Sequence, residues 1–294
     1  MEETTSLVER YREDGFVVVD GLLPQAIVDQ ARHGVSRHHA GERDVELPNG
    51  LGYLDWRPGD PPGIRVNDYV SLQNEDVHTL VAFPQLAAMA AVLSESPNIR
   101  LFHDQIIYKD PAVAIHSAEV TEIGFHTDRA YWQTCSSDQM LTAWVPLTPC
   151  SEETGALSFV RGSHRWPGND NLANFFAPAH GAALREVIAP SGVVPEVVTL
   201  ELEPGQVSFH HCRTIHGSAP NRSQAARCAI TVHFQDAAND YVLPPPGRHS
   251  VHVNDLLSRK RLDGTPDYAD TFVSPILFEG TAAEAVQLIG LDSA

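Results

Sequence analysis

Residues 124–132 read GFHTDRAYW, and in this stretch His126 and Asp128 stand two positions apart. Side chains at positions i and i+2 of a β-strand point to the same side, so an imidazole nitrogen and a carboxylate oxygen could reach one metal ion here. A His-x-Asp motif is weak by itself, because it recurs by chance. The structural alternative is a surface pair or a hydrogen-bonded pair in the core.

A third ligand would have to come from another segment, and SFHHCRTIHGSAPNRS (208–223) is the best candidate. His216 precedes a turn there and is expected at the end of a strand. His210 and His211 compete for the same role, and spacing does not reject them. Two histidines and one carboxylate on one face of an octahedron form the metal centre of non-haem Fe(II) oxygenases, which leaves positions open for a co-substrate and O₂.

An arginine that could bind an acidic co-substrate follows this segment. Arg227 lies eleven residues after His216, across a predicted hairpin turn, so the two are expected on adjacent strands. Arginine offers a two-pronged donor for a carboxylate, which an acidic co-substrate would need. A surface or ion-paired arginine is the alternative. Arg222 is a rival for the role, but it lies in the turn itself and is expected to face water.

Composition and charge restrict the class of protein. The chain has 294 residues, of which 43% are apolar, and a net charge of −18 from 20 basic and 38 acidic residues. This charge disfavours nucleic acid and anionic lipid as partners. The four cysteines show no C-x-x-C pairing and are expected to be reduced thiols. The first residues lack the apolar segment of a signal peptide, and no run of about eighteen apolar residues predicts a membrane span. A cytoplasmic protein is expected.

Predicted helices come before predicted strands. Helical spacing of apolar residues occurs in TTSLVERYRED, in PQAIVDQARHGVSRHH and in VHTLVAFPQLAAMAAVLSE, around a short strand in GFVVVDGLL. Residues 41–75 are rich in Gly, Pro and Asp and are expected to be loops. From residue 100, short β-type runs dominate: LFHDQIIYK, MLTAWVPL, GALSFV, EVVTLEL, GQVSFHH and ARCAITVHFQ. This order predicts an α+β, mainly β fold, with a sandwich or barrel flanked by N-terminal helices.

The segments quoted above resemble the phytanoyl-CoA dioxygenase family. FHTD, TAWVPLTPCSEETGALSFVRGSH and VSFHHCRTIHGSAPNRSQAARCAITVHF occur in the family's order, and YREDGFVVVDGLLP resembles its N-terminal entry. The resemblance runs over roughly residues 10–236. It implies a double-stranded β-helix (jelly-roll, cupin-like) core and an Fe(II)- and 2-oxoglutarate-dependent oxygenase that consumes O₂. A single domain over 1–294 is expected, with a helical part at about 1–98, the core at about 99–240 and an extension at about 241–294.

The resemblance also implies roles for individual residues. His126, Asp128 and His216 would be the iron ligands. Arg227 would pair with the C5 carboxylate of 2-oxoglutarate, with Ser218 beside it. The remaining implied or plausible positions, for which a core role is the alternative, fall into two groups. Co-substrate contacts are expected from Gln105, Trp144 and Thr142, and substrate contacts from Tyr131, Trp132, Met140 and the loop 163–196.

The chain departs from the family pattern at several points. Arg161 stands where the family usually has proline, the segment between Gln105 and His126 is longer than usual, and residues 237–294 do not align. Related halogenases have Gly or Ala at the position of Asp128, which frees a coordination site for chloride. A carboxylate there implies an oxygenase of the hydroxylase type.

The predicted reaction is oxidation of a C–H bond of a small molecule by hydroxylation, or by a related radical outcome such as ring closure or epimerisation. Because the chain is strongly acidic, an uncharged or cationic substrate fits better than an acyl-CoA, and natural-product (antibiotic or secondary-metabolite) biosynthesis is the expected setting. The alternatives are a metal-binding cupin-type enzyme with non-oxidative chemistry and a non-catalytic jelly-roll sensor. The sequence gives neither the substrate nor the oligomeric state.

Overall fold

The structure is a computed structural model that describes residues 2–176, 189–190, 192–244 and 251–290. Its helices are α1 (Glu2–Asp14), α2 (Gln25–His39), α3 (Glu75–Val81), α4 (Pro84–Ser94), α5 (Val253–Leu257) and α6 (Ala282–Ile289). Its strands are β1 (Phe16–Val19), β2 (Ile64–Asp68), β3 (Asn98–Lys109), β4 (Ile123–His126), β5 (Leu141–Pro146), β6 (Leu157–Val160), β7 (Val197–Thr199), β8 (Val207–His211), β9 (His216–Ser218), β10 (Arg227–Asp236) and β11 (Ile276–Glu279).

The strands form two antiparallel sheets. The large sheet has the order β1-β8-β5-β10-β3-β11, with β2 also paired to β3, and the small sheet has the order β4-β9-β6-β7. The helices cover the outside, where α4 packs against β3, β5 and β10. The predicted mainly β jelly-roll core with flanking helices is therefore present.

The main apolar core lies between the helices and the large sheet. It includes Leu86 and Met89 of α4 and Ile230 and Phe234 of β10, all fully buried. Glu75–Ser94 is long and apolar enough to cross a membrane by composition alone, but it is divided at Pro84 into two helices, and 61% of its most apolar window is buried inside the fold. We therefore describe it as a core helix pair.

Three local expectations were wrong. The segment 41–75, expected to be loop, contains β2, because IRVND finds an antiparallel partner in β3. The tail after LPPPG, which was also expected to be loop with a short amphipathic end, contributes β11 to the other end of the same strand. His126 ends β4, whereas Asp128 begins a 3₁₀ turn over Asp128–Ala130, so the two do not share a strand. Sequence periodicity could not predict pairing with a distant strand or the early end of β4.

Strands from all three predicted parts of the chain belong to one sheet. β1 and β2 come from the predicted helical part, β11 from the predicted extension, and the others from the predicted core. This arrangement supports the proposal that the chain forms a single domain.

Candidate active site

Three side chains from separate elements meet between the two sheets. His126 at the end of β4, Asp128 in the following turn and His216 at the start of β9 are all buried, and each offers a ligand atom within 4.8 Å of the others'. The Nε2 atom of His216 lies 3.6 Å from Oδ1 of Asp128, and the two imidazole centroids are 4.3 Å apart. Among the described residues this is the one group of three or more that could hold a metal ion.

Backbone carbonyls orient both imidazoles. The Nδ1 atom of His126 is 2.7 Å from the carbonyl oxygen of Gly124, and Nδ1 of His216 is 2.9 Å from that of Thr214. A carbonyl can only accept, so each Nδ1 carries the proton and donates it. Both Nε2 lone pairs are thereby free to bind a cation, as is usual for histidine ligands.

The carboxylate of Asp128 is held through its other oxygen. The Thr142 hydroxyl donates to Oδ2 over 2.6 Å, and Nε2 of His210 lies 3.2 Å from the same atom. Burial would raise the pKa of Asp128, but the imidazoles of His216 and His210 hold it well below its usual range.

The histidines of the cluster are kept neutral. Burial lowers the pKa of His126 and, more strongly, of His216. The cluster therefore offers two neutral nitrogens and one anionic oxygen, the deprotonated state that binding of a divalent metal requires. His126, Asp128 and His216 fit iron.

Neither competing histidine joins this cluster. His210 lies beside the cluster, with its Nε2 atom 3.2 Å from Oδ2 of Asp128, whereas Nε2 of His216 lies nearest Oδ1, and His210 is not one of the three grouped ligands. The His211 ring lies against the rings of Tyr11 and His164. Adjacent positions on β8 point to opposite faces of the sheet, which explains why only one of the two approaches the cluster.

Cross-strand pairing places a row of polar side chains beneath the metal cluster. β10 lies between β3 and β5, and β5 pairs with β8, so His103, His233, Thr142 and His210 are successive partners across four strands. The Nδ1 atom of His233 is 2.7 Å from Oγ1 of Thr142. Since the Thr142 hydroxyl donates to Asp128, it accepts from His233, and the two bonds form a chain that ends at the carboxylate.

A second feature is a pair of buried cations directly opposite each other on β10 and β3. Arg227 and Lys109 are 1% and 0% exposed and are cross-strand partners. Lys109 Nζ donates to Oγ of Ser218 over 2.7 Å and to the carbonyl of Ala219 over 2.6 Å. The Nη2 atom of Arg227 donates to the carbonyl of Gly155 over 3.1 Å and lies 3.3 Å from the same Ser218 oxygen.

No described carboxylate forms an ion pair with either cation. Burial lowers the pKa of Arg227, and burial together with the Arg227 charge lowers the pKa of Lys109 well below its usual range. The Nε atom of Arg227 is buried without a hydrogen-bond partner in the described part of the chain. Like charges opposite each other destabilise a sheet, and a buried cation is costly unless paired. An anionic ligand would satisfy Arg227, so this end of the cavity fits the distal carboxylate of 2-oxoglutarate.

Arg227 and the metal cluster share one inner cavity. Arg227, His126, Asp128 and His216 all line it. Three of the predicted co-substrate residues line it as well, namely Gln105, Thr142 and Trp144. The Arg227 guanidinium carbon lies 5.4 Å from the centre of the Trp144 ring, within range of a cation–π contact. A dicarboxylate chelated at the metal and held at Arg227 would therefore occupy one continuous space.

One correction concerns how these residues are brought together. Arg227 and His216 are not on adjacent strands of one sheet, because β10 belongs to the large sheet and β9 to the small one. Their segments meet face to face, through the contact of Arg227 with Ser218. Arg222 is exposed and paired with Glu119, 2.9 Å away, so it lies outside the cavity as expected.

A larger outer cavity of about 310 Å³ opens beside His126 and Asp128. Tyr131 and Trp132, both predicted to contact substrate, line it together with Phe175 and Phe176 of the loop 163–196. Residues 177–188 and 191 of that loop lie outside the described residues. Met140 lies instead in a buried apolar cluster and does not line either cavity.

Sequence reasoning missed several residues of these cavities. Neither Lys109, which lies opposite Arg227, nor His233 was among the predicted site residues. Asp68, His103 and His252, which line the outer cavity, carry no motif. The strand alternation of ARCAITVHFQ was a usable signal for His233, because Arg227, Thr231 and His233 share one face.

Comparison with known proteins gives one consistent result. Residues 11–229 match the phytanoyl-CoA dioxygenase (PhyH) family profile. The peroxisomal phytanoyl-CoA dioxygenase of Bos taurus is 25% identical over 250 residues, which are 79% of this chain and 68% of that protein. The 1-deoxypentalenic acid 11-beta-hydroxylase of Streptomyces exfoliatus is 23% identical over 285 residues, covering 92% of this chain and 95% of that protein.

Solved structures agree with the sequence relatives. The non-haem alpha ketoglutarate dependent epimerase SnoN from nogalamycin biosynthesis superposes with a TM-score of 0.71 at 26% identity, over 95% of this chain and 98% of SnoN. SnoN has also been solved in complex with Fe3+, alpha ketoglutarate and nogalamycin RO, and that structure matches at 25% identity with a TM-score of 0.63, over 94% of this chain and 99% of that one. The predicted jelly-roll fold is confirmed.

Proposed function

The chain belongs to the phytanoyl-CoA dioxygenase family and is an Fe(II)- and 2-oxoglutarate-dependent oxygenase, and from that premise we propose that it oxidises a C–H bond of a natural product. One observation carries the proposal. The His126–Asp128–His216 cluster shares a cavity with Arg227, a buried cation without a carboxylate partner. A metal and a dicarboxylate are the ligands that this arrangement fits.

Each residue has a definite task in this proposal. His126, Asp128 and His216 hold the metal, and the carbonyls of Gly124 and Thr214 keep both imidazoles in the binding tautomer. When bound, iron with 2-oxoglutarate and O₂ supplies the oxidising power for C–H cleavage, while the protein supplies orientation and a dry cavity.

The far end of the inner cavity would bind the distal carboxylate. Arg227 offers its unpartnered Nε–H there, together with the positive charge of its guanidinium group. Ser218 already accepts from Lys109 and Arg227, so its own hydroxyl hydrogen is available to donate to the carboxylate. Trp144 closes one wall of the same cavity.

The natural-product setting rests on the relatives and on charge. A structural neighbour of similar length, SnoN, acts in nogalamycin biosynthesis, and the Streptomyces exfoliatus relative is named as an 11-beta-hydroxylase of 1-deoxypentalenic acid. The acyl-CoA named for the bovine relative is a poor match, because a net charge of −18 disfavours a highly anionic substrate. Four buried free cysteines support a cytoplasmic location.

The test is formation of succinate from 2-oxoglutarate in the presence of Fe(II) and O₂, followed by a screen of polycyclic and glycosylated natural products for oxidised product. Asp128→Ala should abolish succinate formation. Asp138→Ala, at an exposed aspartate paired with Arg129, should leave it intact and serves as the matched control. Equal activity of the Asp128→Ala variant and the wild type would contradict the proposal.

A further inference from the structure

The outer cavity has an unusual distribution of charge. Its walls contain aromatic rings, imidazoles and two carboxylates, those of Asp128 and Asp68, and no lysine or arginine is among the described lining residues. Asp128 belongs to the metal cluster, where a divalent cation would offset its charge. Asp68 has the imidazole of His103 beside it, with Nε2 3.4 Å from Oδ1, but no lysine or arginine among the described lining residues, so the wall of the space that would receive the substrate contains a carboxylate and no permanent cation.

The carboxylate of Asp68 is fixed but not saturated. Its Oδ2 atom accepts from the backbone N–H of Leu54 over 2.8 Å, and Oδ1 accepts from Nε2 of Gln105 over 2.7 Å. The residue is 5% exposed. Burial would raise the pKa of Asp68, but the His103 ring and these hydrogen bonds lower it below its usual range. An ionised carboxylate can accept about four hydrogen bonds, so acceptor capacity remains.

A second polar group in the same wall lacks a partner. The Nε2 atom of His103 is buried and forms no hydrogen bond within the described ranges, although it lies 3.4 Å from Oδ1 of Asp68. The neighbouring imidazoles of His233 and His252 do not compensate the charge of Asp68, because burial lowers the pKa of His233 to about 3 and that of His252 well below its usual range. Buried polar atoms are nearly always satisfied, so an unpartnered nitrogen beside an ionised carboxylate indicates a ligand position.

We propose that Asp68 and His103 form a subsite for a protonated amine on the substrate, so that the enzyme acts on an amine-bearing natural product. The ammonium donates to the free lone pairs of Asp68, and His103 accepts a further bond through Nε2 when its own proton is on Nδ1. This subsite rests on the proposed function, because it orients the substrate relative to the metal cluster in the same cavity.

The aromatic walls suit the same ligand. Trp132 is 3% exposed and lies T-shaped against His233, with ring centroids 5.2 Å apart, so it faces the cavity as a fixed wall. Aromatic faces attract ammonium groups and stack on planar rings. An anionic substrate would instead meet the charge of Asp68 at short range and with little screening, which disfavours it.

The test uses three probes of similar size on the anaerobic protein loaded with Fe(II) and 2-oxoglutarate. Cyclohexylmethylamine, cyclohexylmethanol and cyclohexanecarboxylate differ in the charge of one group. Binding is measured by titration calorimetry at pH 8, where free imidazole is neutral and the amine is protonated. The amine should bind at least tenfold more tightly than the alcohol, and the carboxylate should bind most weakly. Equal affinities for amine and alcohol would overturn the proposal.

Variants separate a specific contact from the general acidity of the chain. Asp68→Asn keeps the shape and the acceptor for Leu54 and should remove the preference for the amine. Asp60→Asn also removes one negative charge, but from a neighbouring groove that Leu54 lines as well and that lies outside this cavity. This variant should retain the preference for the amine. An equal loss in both variants would show general attraction and contradict the subsite. If Asp68→Asn does not fold, the wild-type comparison of the three probes still decides.

Failure of the subsite and failure of the proposed function are distinguishable in this design. The loading step reports whether Fe(II) and 2-oxoglutarate bind at all, before any probe is added. A loaded protein without preference for the amine rejects the subsite alone, whereas a protein that cannot be loaded rejects the proposed function.

Discussion

The hydroxyl of Thr142 donates to Oδ2 of Asp128 over 2.6 Å, and so a strand of the large sheet fixes the carboxylate that lies between two histidines of the small sheet. The same hydroxyl accepts from Nδ1 of His233, 2.7 Å away. Thr142 lines the inner cavity, where a contact with the co-substrate remains a prediction, and its hydrogen bonds give it a further task. We interpret it as the residue that orients Asp128 for metal binding.

The first prediction concerns this hydroxyl. Thr142→Val keeps the volume and removes the donor to Asp128, so Fe(II) affinity should fall roughly 10- to 100-fold, as for other partners of metal ligands. The measurement is the Fe(II) dependence of succinate formation. Thr142→Ser retains the hydroxyl and should stay near the wild type. Equal losses in the two variants would assign the role to packing of the methyl group.

The second prediction concerns the co-substrate. Arg227→Met should raise the apparent KM for 2-oxoglutarate by roughly 100-fold, because the distal carboxylate loses charge-assisted hydrogen bonds. Stability of the ligand-free protein should not fall, since an unpaired buried cation is removed. Steady-state kinetics and urea unfolding measure the two effects. Arg222→Met, at an exposed arginine, is the control, and an effect there equal to that of Arg227→Met would contradict the assignment.

The third prediction concerns Lys109. Its amine donates to the Ser218 hydroxyl, which leaves the hydrogen of Ser218 free to donate to a carboxylate bound at Arg227. Lys109→Met should therefore raise the KM for 2-oxoglutarate about tenfold, the value of one charge-assisted hydrogen bond, and leave the Fe(II) dependence unchanged. Ser218→Ala should have a similar effect, and the double variant should be less than additive. Fully additive losses would show that the two residues act separately.

The fourth prediction concerns stability and pH. Burial lowers the pKa of His233 to about 3, whereas the pKa of a histidine in the unfolded chain is about 6.5. Below pH 6.5 the unfolded chain binds a proton at His233 and the folded chain does not. The stability that depends on the neutral imidazole is therefore fully present above pH 6.5 and is lost as the pH falls toward 3.

The wild type should therefore lose about 2 kcal/mol more unfolding free energy between pH 7 and pH 5 than His233→Gln does. Urea unfolding of the metal-free protein at the two pH values measures the difference. Parallel losses in the two proteins would mean that His233 is protonated in the fold.

Several parts of the fold and the candidate site were within reach of sequence reasoning. Alternation along ARCAITVHFQ predicts Arg227, Thr231 and His233 on one face, and all three line the inner cavity, because the side-chain period in a strand is a local property. The order of helices and strands, read with the family resemblance, gave the jelly-roll core. The expected roles of the metal ligands and of Arg227 remain predictions that the experiments here test.

Other parts depend on pairing between distant segments, which periodicity does not encode. Arg227 and Lys109 are cross-strand partners because of the register between β10 and β3, two strands that are more than a hundred residues apart in the chain. His252 reaches the outer cavity from a C-terminal segment without a recognisable motif. Asp68 reads as a loop residue in sequence and becomes a cavity residue only because β2 pairs with β3.

The central claim is that His126, Asp128 and His216 hold iron next to a 2-oxoglutarate site. Its most direct test is an anaerobic titration of the metal-free protein with Fe(II) and 2-oxoglutarate, monitored for the visible charge-transfer band of the chelate. We predict that the band appears, that His126→Ala abolishes it, and that His116→Ala, at an exposed histidine, retains it. Metal binding without a band, or a band that persists in His126→Ala, would contradict the account.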